Sequence, residues 1–388
     1  MRRPLAFVLV LAATAPPAAA QSIFASEGLG VPVAPLDARA RALGGIGVGL
    51  LGPNASLVNP AAAVEYLLRG ATAGYQSSDR SIDLDGAQGD AGSSRFPLLH
   101  VLYPIGQSVV ASAGYGSFLD QSWAVFSQRQ AILGSDTLTV RDLIDSEGAI
   151  AQLRIGAGYR LTSTLAVGAA AGLYTGHISR VVARSFPDSL GTDLRPVRNE
   201  AEWSQRAPLV AAGFRWDPAP ILRLAGAVTW AGTLHGHADD PDVDDFDIDL
   251  PLQVTAGASA LLTPGVLAAV SGRWAGWSDA SGDTDFIGSA DDAWEIGAGL
   301  ELGGDPRAGT GFPIRLGYHY ERFPFRFGSQ VPTEWSAALG FGTRFVPTDA
   351  GPLASIDAVL ERGGRTANGS GLSEDFWRFT LSIAAFAP

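Results

Sequence analysis

Cysteine is absent from the 388 residues, and so is lysine: all 27 basic side chains are arginine. Without cysteine there is no disulfide staple, no zinc–thiolate site, no thiol nucleophile and no residue to carry a lipoprotein anchor. Positive charge is scarce too. The 39 acidic residues outweigh the arginines to give a net charge of −12. That balance repels polyanions and leaves a nucleic-acid partner no electrostatic footing. Charged residues of either sign make up only 17% of the chain, against about 25% in an ordinary soluble protein. Long apolar runs are nevertheless missing: beyond the first 20 residues no stretch reaches the ~18 consecutive apolar residues of a membrane-spanning helix. What the chain has in excess is glycine, 48 residues, each of which costs about 1 kcal/mol in a helix interior. A helix-rich fold is excluded. A composition 46% hydrophobic with nine tryptophans also excludes a disordered chain.

The remaining possibility is a glycine-rich β-protein whose apolar residues are dispersed, which is the statistical profile of a membrane β-barrel. The N-terminus agrees with export. Residues 1–20 read MRRPLAFVLVLAATAPPAAA, with Arg2 and Arg3 at the positive end, an apolar stretch from Leu5 to Ala15, and Ala18 to Ala20 ahead of Gln21. This is the order of a secretory signal, expected to be cut after Ala20.

After Glu65 the chain repeats about ten residues of period-two alternation followed by a turn or a polar loop. In 149–160, Leu153, Ile155, Ala157 and Tyr159 share one face, while Gln152, Arg154, Gly156 and Gly158 share the other. The same split recurs in 252–262, 334–345 and 376–386. Alternation alone would also fit a soluble sandwich, but the loops fall into two alternating sets. Short ones lie at 104–107, 161–164, 217–220, 262–265 and 347–352. Long polar ones lie at 77–93, 120–147, 180–202, 235–249, 278–291 and 364–373. Short periplasmic turns opposite long outer loops are the asymmetry of an outer-membrane barrel. The count is fourteen strands: 67–77, 93–104, 107–119, 148–161, 163–180, 202–216, 219–234, 250–263, 265–278, 291–304, 312–323, 333–346, 353–364 and 373–386. An even number returns both termini to one side. Tyr75, Tyr103, Trp216, Trp230, Trp274, Trp294, Trp335 and Trp377 fall near strand ends, as girdles at the two membrane interfaces would.

Residues 21–64 break the alternation. They are rich in Gly and Ala, and they carry Ala38-Arg39, the pair Gly44-Gly45 and, about fourteen residues on, Asn59-Pro60-Ala61. Here the chain resembles the FadL-like outer-membrane transporters of long-chain fatty acids and other hydrophobic compounds, and the related type IX secretion shuttle proteins. Pro332-Thr333-Glu334, Ile356-Asp357, Glu361-Arg362 and Glu374 to Arg378 extend the likeness to the closing strands. The resemblance implies a signal peptide at 1–20, a plug at 21–64 and a fourteen-stranded antiparallel barrel at 65–388. It implies that Asn59, Pro60 and Ala61 hold a tight turn of the plug. It also implies a kinked third strand beside a lateral gap, with Gly114 and Gly116 as the residues that permit the kink. The implied activity is passive transport of hydrophobic small molecules through a lumen pocket, plug rearrangement and opening of the wall into outer-membrane lipid, by a monomer without cofactor. The alternatives are a barrel serving protein secretion or surface attachment and, behind it, a polar-solute porin.

The inward-facing charges expected from alternation are Arg154, Arg215, Arg223, Arg273, Glu295, Glu301, Arg315, His319, Glu334, Arg344, Asp357, Glu361 and Arg378. They must face the lumen, because an arginine at the lipid midplane costs roughly 2–4 kcal/mol. They form an internal salt network bracing the plug, or else one or two arginines grip a substrate carboxylate bidentately, with Arg154 and Arg315 as candidates. Ile23 and Phe24, at the apolar start of the mature chain, line a hydrophobic pocket by the resemblance; a frayed terminus is the competing reading. The seven aspartates of 235–249 lack the glycine and closing glutamate of an EF-hand, so they are read as a solvated loop and no metal is assigned. No G-x-S-x-G, H-E-x-x-H or P-loop pattern occurs, and no enzyme is expected.

Overall fold

The computed structural model describes residues 22–133, 136–186, 195–280, 290–305, 310–348 and 351–387; the signal stretch 1–20 lies outside them. Fourteen antiparallel strands close on themselves. They are β1 (Arg69–Leu84), β2 (Ala87–Ile105), β3 in two pieces (Val109–Asp120 and Trp123–Leu133), β4 (Asp136–Arg160) and β5 (Leu165–Ser185). Next come β6 (Val197–Ala219), β7 (Leu222–Ala231 and Thr233–Ala238), β8 (Phe246–Asp249 and Gln253–Thr263) and β9 (Val266–Ala275). The last five are β10 (Ala293–Asp305), β11 (Thr310–Arg322), β12 (Thr333–Thr348), β13 (Gly351–Thr366) and β14 (Leu372–Ala387). Each strand pairs with its neighbours in sequence, and closure is the sixteen-residue ladder from Leu372↔Leu84 to Ala387↔Arg69. Closure satisfies the backbone donors and acceptors that a lipid-facing edge would leave unpaired.

The two faces sort as the alternation requires. On β4, Leu153, Ile155 and Tyr159 are exposed on the outside, whereas Gln152 and Arg154 are buried inside. All eight girdle aromatics point outward. Trp274 keeps its indole N–H satisfied by Asp292 at 3.1 Å, the half-buried, half-wet placement that suits an interface tryptophan. The wall is a transmembrane barrel of the outer-membrane type.

The strands are longer than the alternation indicates. Segments 77–93, 120–147 and 364–373, expected as loops, are largely ladder: β1 and β2 pair up to Leu84↔Ala87, β3 and β4 up to Leu133↔Asp136, and β13 and β14 up to Thr366↔Ser373. Likewise 235–249 is a short hairpin with His235 opposite Asp247, and of 180–202 both flanks are strand. The physical reason is that above the membrane both faces of a strand meet water. The hydrogen-bonded ladder continues there, but the apolar–polar alternation that reveals it stops.

Residues 22–66 run through the lumen from the outer to the periplasmic end. The start is tied at the top, where Ser22 Oγ donates to Glu374 and Ile23 N–H donates to the same carboxylate at 2.8 Å. A short helix, α1 (Ala38–Ala42), is capped by Asp37, whose carboxylate accepts from Ala40 N–H as a helix N-terminus requires. It packs against β12 and β13, with Ala38 and Ala42 touching Ala338 and Val359. The segment ends in a 3₁₀ turn, Pro60–Glu65, against β4, β5 and β6.

Candidate functional site

The side chains inside the barrel are arranged by which strand pairs bring them to the N-terminal segment. Arg39 of α1 holds Glu301 of β10 through both carboxylate oxygens, at 2.9 and 3.1 Å, and donates also to the carbonyls of Leu51 and Pro53. Glu301 accepts a further bond from Arg315 of β11 at 2.7 Å; Arg315 reaches Asp357 of β13 at 2.7 Å, and Arg344 of β12 adds a second guanidinium there. This chain of alternating charges crosses four strands and is almost wholly closed to solvent. At the periplasmic end Glu65 is shared by Arg215 and Arg223, and Arg223 also grips Asp217. At the outer end Arg365 and Arg378 flank Glu334.

The candidate residues fall into different settings. Arg315 is fully enclosed and committed to two carboxylates, so it joins strands and offers no free charge to a ligand. Arg154 differs. Among the described residues no carboxylate lies within ion-pair distance of it; Nη1 donates to Leu57 carbonyl at 2.9 Å, and Nε is buried without a partner. It lines a narrow crevice between the N-terminal segment and the wall. One side of the crevice is apolar, from Val33, Pro35, Leu36 and Val58 of the N-terminal segment and Phe118 of β3. The other is polar, from Gln152, Arg154, Thr229, Gln253, Arg273 and Glu295 of the wall. Gln152 contributes a second orphan, its Oε1. Buried polar atoms rarely stay unpaired, and these two share one cavity.

Gly114 and Gly116 lie on β3 where the N-terminal segment presses against it: a Cβ at Gly114 would sit 2.5 Å from Leu57 Cδ2, and one at Gly116 2.5 Å from Pro35 Cβ. The irregularity of the β3–β4 ladder falls just above them, between Ser117 and Leu119. On its other side β3 pairs with β2 only from Val109 to Gly116, opposite Leu98 to Ile105. Above that level the two strands part. Val31 and Pro32 pair with Asp120 and Leu119 on the freed edge of β3, and Val33 N–H donates to Phe118 carbonyl at 2.8 Å. The Arg95–Asp120 ion pair, at 2.8 Å, spans the parting.

Gly44 and Gly45 follow α1 with φ of +86° and +75°, the left-handed conformation that closes a helix at little cost only for glycine. The turn they make rests on His319 and on the backbones of β10 and β11. Asn59 Oδ1 accepts from Ala61 N–H at 2.9 Å, and its amide donates to Phe214 carbonyl of β6 at 3.0 Å; Pro60 then opens the 3₁₀ turn. Phe24 is buried in an edge-on aromatic cluster with Phe323 and Phe327, and Ile23 packs against the same cluster.

Several residues of this interior escape the alternation. Glu321 and Glu374 sit at strand ends, and Arg80, Asp120 and Arg365 fall in segments expected as loops, yet all five are buried. Spacing carries no signal for Glu65, whose partners lie 150 or more residues away.

A closed fourteen-stranded wall around a lumen-filling N-terminal segment defines a class of membrane barrel, and solved structures narrow it. No family model and no curated protein matches the chain. Among solved structures, a FadL homologue of Pseudomonas aeruginosa shares 16% identity over 92% of this chain and 99% of that one, with a TM-score of 0.64. The toluene transporter TbuX of Ralstonia pickettii gives 17% identity, 91% and 98% coverage and 0.64. The toluene transporter TodX of Pseudomonas putida gives 15%, 92% and 98%, and 0.57. The likeness is one of fold: the chain has the architecture of the FadL-like barrels over nearly its whole length.

Proposed function

We propose that this barrel passively carries hydrophobic small molecules such as long-chain fatty acids or hydrocarbons across the outer membrane, with residues 22–66 as a movable plug. The observation that carries the reading is the parting of β2 from β3 above Leu98 and Gly116, with the plug strand Val31–Pro32 laid along the open edge. Release of that strand would open the crevice beside Arg154 sideways into lipid. An apolar solute leaving by that route avoids water, where each Å² of apolar surface costs about 25 cal/mol. The names of the similar solved structures, two toluene transporters and a FadL homologue, support the same reading.

The crevice divides labour in this scheme. Its apolar side takes the tail, Ile23 and Phe24 extend the apolar path toward the outer mouth, Arg154 Nε donates to an acceptor on the head group, and Gln152 Oε1 accepts from a hydroxyl on it. Asn59, Pro60 and Ala61 fix the foot of the plug while the strand above it moves.

The test is uptake. A host lacking its own carriers and expressing this chain should take up labelled fatty acid and labelled monoaromatic hydrocarbon, while liposomes containing the barrel should stay impermeable to sugars. Arg154→Leu should lower fatty-acid uptake about tenfold, since a hydrogen bond to a charged group is worth about 1.5–3 kcal/mol, and leave hydrocarbon uptake nearly unchanged. Sugar permeation without hydrophobic uptake would refute the proposal; equal loss for both solutes would refute the role of Arg154.

A further inference from the structure

A second, narrow polar cavity adjoins the Arg154 crevice and shares Arg273 and Glu295 with it. Its wall holds Glu295 of β10 and His319 and Glu321 of β11, whose ligating atoms lie within 4.8 Å of one another. One guanidinium serves both carboxylates: Arg273 of β9 is 3.0 Å from Glu295 and 3.4 Å from Glu321. His319 Nε2 stands 3.6 Å from Glu295.

We propose that Glu295, His319, Glu321 and Arg273 share one exchangeable proton, and that seating the plug turn Gly44–Gly45 over them takes this proton up. The inference rests on the plug being movable. With His319 neutral, two carboxylates face one guanidinium and the group carries one uncompensated negative charge. A proton on the imidazole or on a carboxylate makes it neutral. The same cavity is lined by Arg80 of β1, by the Arg95–Asp120 pair of β2 and β3, and by further paired charges. Glu334 of β12 is held by Arg365 at 2.5 Å and Arg378 at 3.1 Å, and Arg41 of the plug leans on Glu361 of β13 at 3.7 Å.

The plug covers this group directly. A Cβ on Gly45 would lie 3.1 Å from His319 Cδ2, so the turn sits on the imidazole edge and shields it from water. Covering a net charge is costly and covering a neutral group is far less so. The seated state therefore binds the proton more firmly than the lifted, hydrated state does. By linkage, seating is favoured as pH falls and loosens as pH rises. A plug of this design loosens at neutral pH and fastens in acid.

Hydrogen exchange of the amides of residues 43–48, in purified protein held in detergent micelles, reads the seating without any ligand. The amides are compared at about pH 5.5 and about pH 7.5 after correction for intrinsic rates. One linked proton changes protection by at most about tenfold per pH unit, so protection should be about ten- to hundredfold higher at the lower pH. Glu321→Gln leaves Arg273 and Glu295 balanced without the proton, and protection should become high and independent of pH. Glu295→Gln balances the same group by the other carboxylate and should behave alike, which keeps the test open if one variant fails to fold. Flat protection in the unaltered protein, or an unchanged pH response in a folded variant, overturns the proposal. Failure of the transport reading would leave these outcomes readable, because no solute is involved.

Discussion

Replacing Glu301 with alanine is expected to release the N-terminal segment from the barrel wall while leaving the wall closed. Glu301 is the meeting point of Arg39 from α1 and Arg315 from β11, and all three side chains are buried. Removing the carboxylate strands Arg39 with carbonyl partners alone, whereas Arg315 keeps Asp357. Breaking one side of a buried pair costs about 3–5 kcal/mol, enough to lower the exchange protection of amides 38–51 by roughly two to four orders of magnitude. The fourteen-strand ladder does not pass through this contact, so heat-resistant migration of the folded barrel on gels should persist. Arg39→Met combined with Glu301→Leu should cost less than Glu301→Ala, because no orphaned charge remains in that pair. Unchanged exchange in Glu301→Ala would mean that apolar contacts such as Leu43 and Ile46 against Ala269 hold the segment unaided.

The same contact marks the boundary of what the sequence makes legible. Strand number and facing come from alternation, because lipid on one side and a polar lumen on the other impose opposite chemistry on successive residues. Leu153 and Ile155 against Gln152 and Arg154 show this directly. Strand length does not come through. The upper halves of β3 and β4, such as Gln128 opposite Arg141 and Ser127 opposite Asp142, are polar on both faces, so they read as loop although the ladder continues. Partnerships such as that of Arg39 with Glu301 are illegible for another reason. A charge known to face inward has many oppositely charged candidates, and only the barrel's register and the course of residues 22–66 choose among them. Thus Arg154 and Arg315 look equivalent in sequence. In the fold one has no carboxylate within ion-pair distance among the described residues, and the other closes an ion-pair chain.

On the proposed function, locking Val31–Pro32 to β3 is expected to stop uptake altogether and to do so reversibly. The chain contains no cysteine, so Pro32→Cys with Leu119→Cys introduces one possible disulfide and no competing thiol. Pro32 and Leu119 are register partners, and the bond from Val33 N–H to Phe118 carbonyl makes them a non-hydrogen-bonded pair. In such a pair the Cα atoms are about 4.5 Å apart, within the range that a disulfide spans without backbone movement. Oxidation would fix Val31–Pro32 on the edge that β2 leaves free, and the parting above Leu98 and Gly116 would stay covered. If apolar solutes leave sideways through that parting, uptake falls to the background of cells without the barrel and returns when a reductant is added. Each single-cysteine variant supplies the control for the substitutions themselves. Full uptake through the oxidised pair would place the exit elsewhere, at the periplasmic end beside Pro60–Glu65, and the covered edge of β3 would then be a purely structural seam.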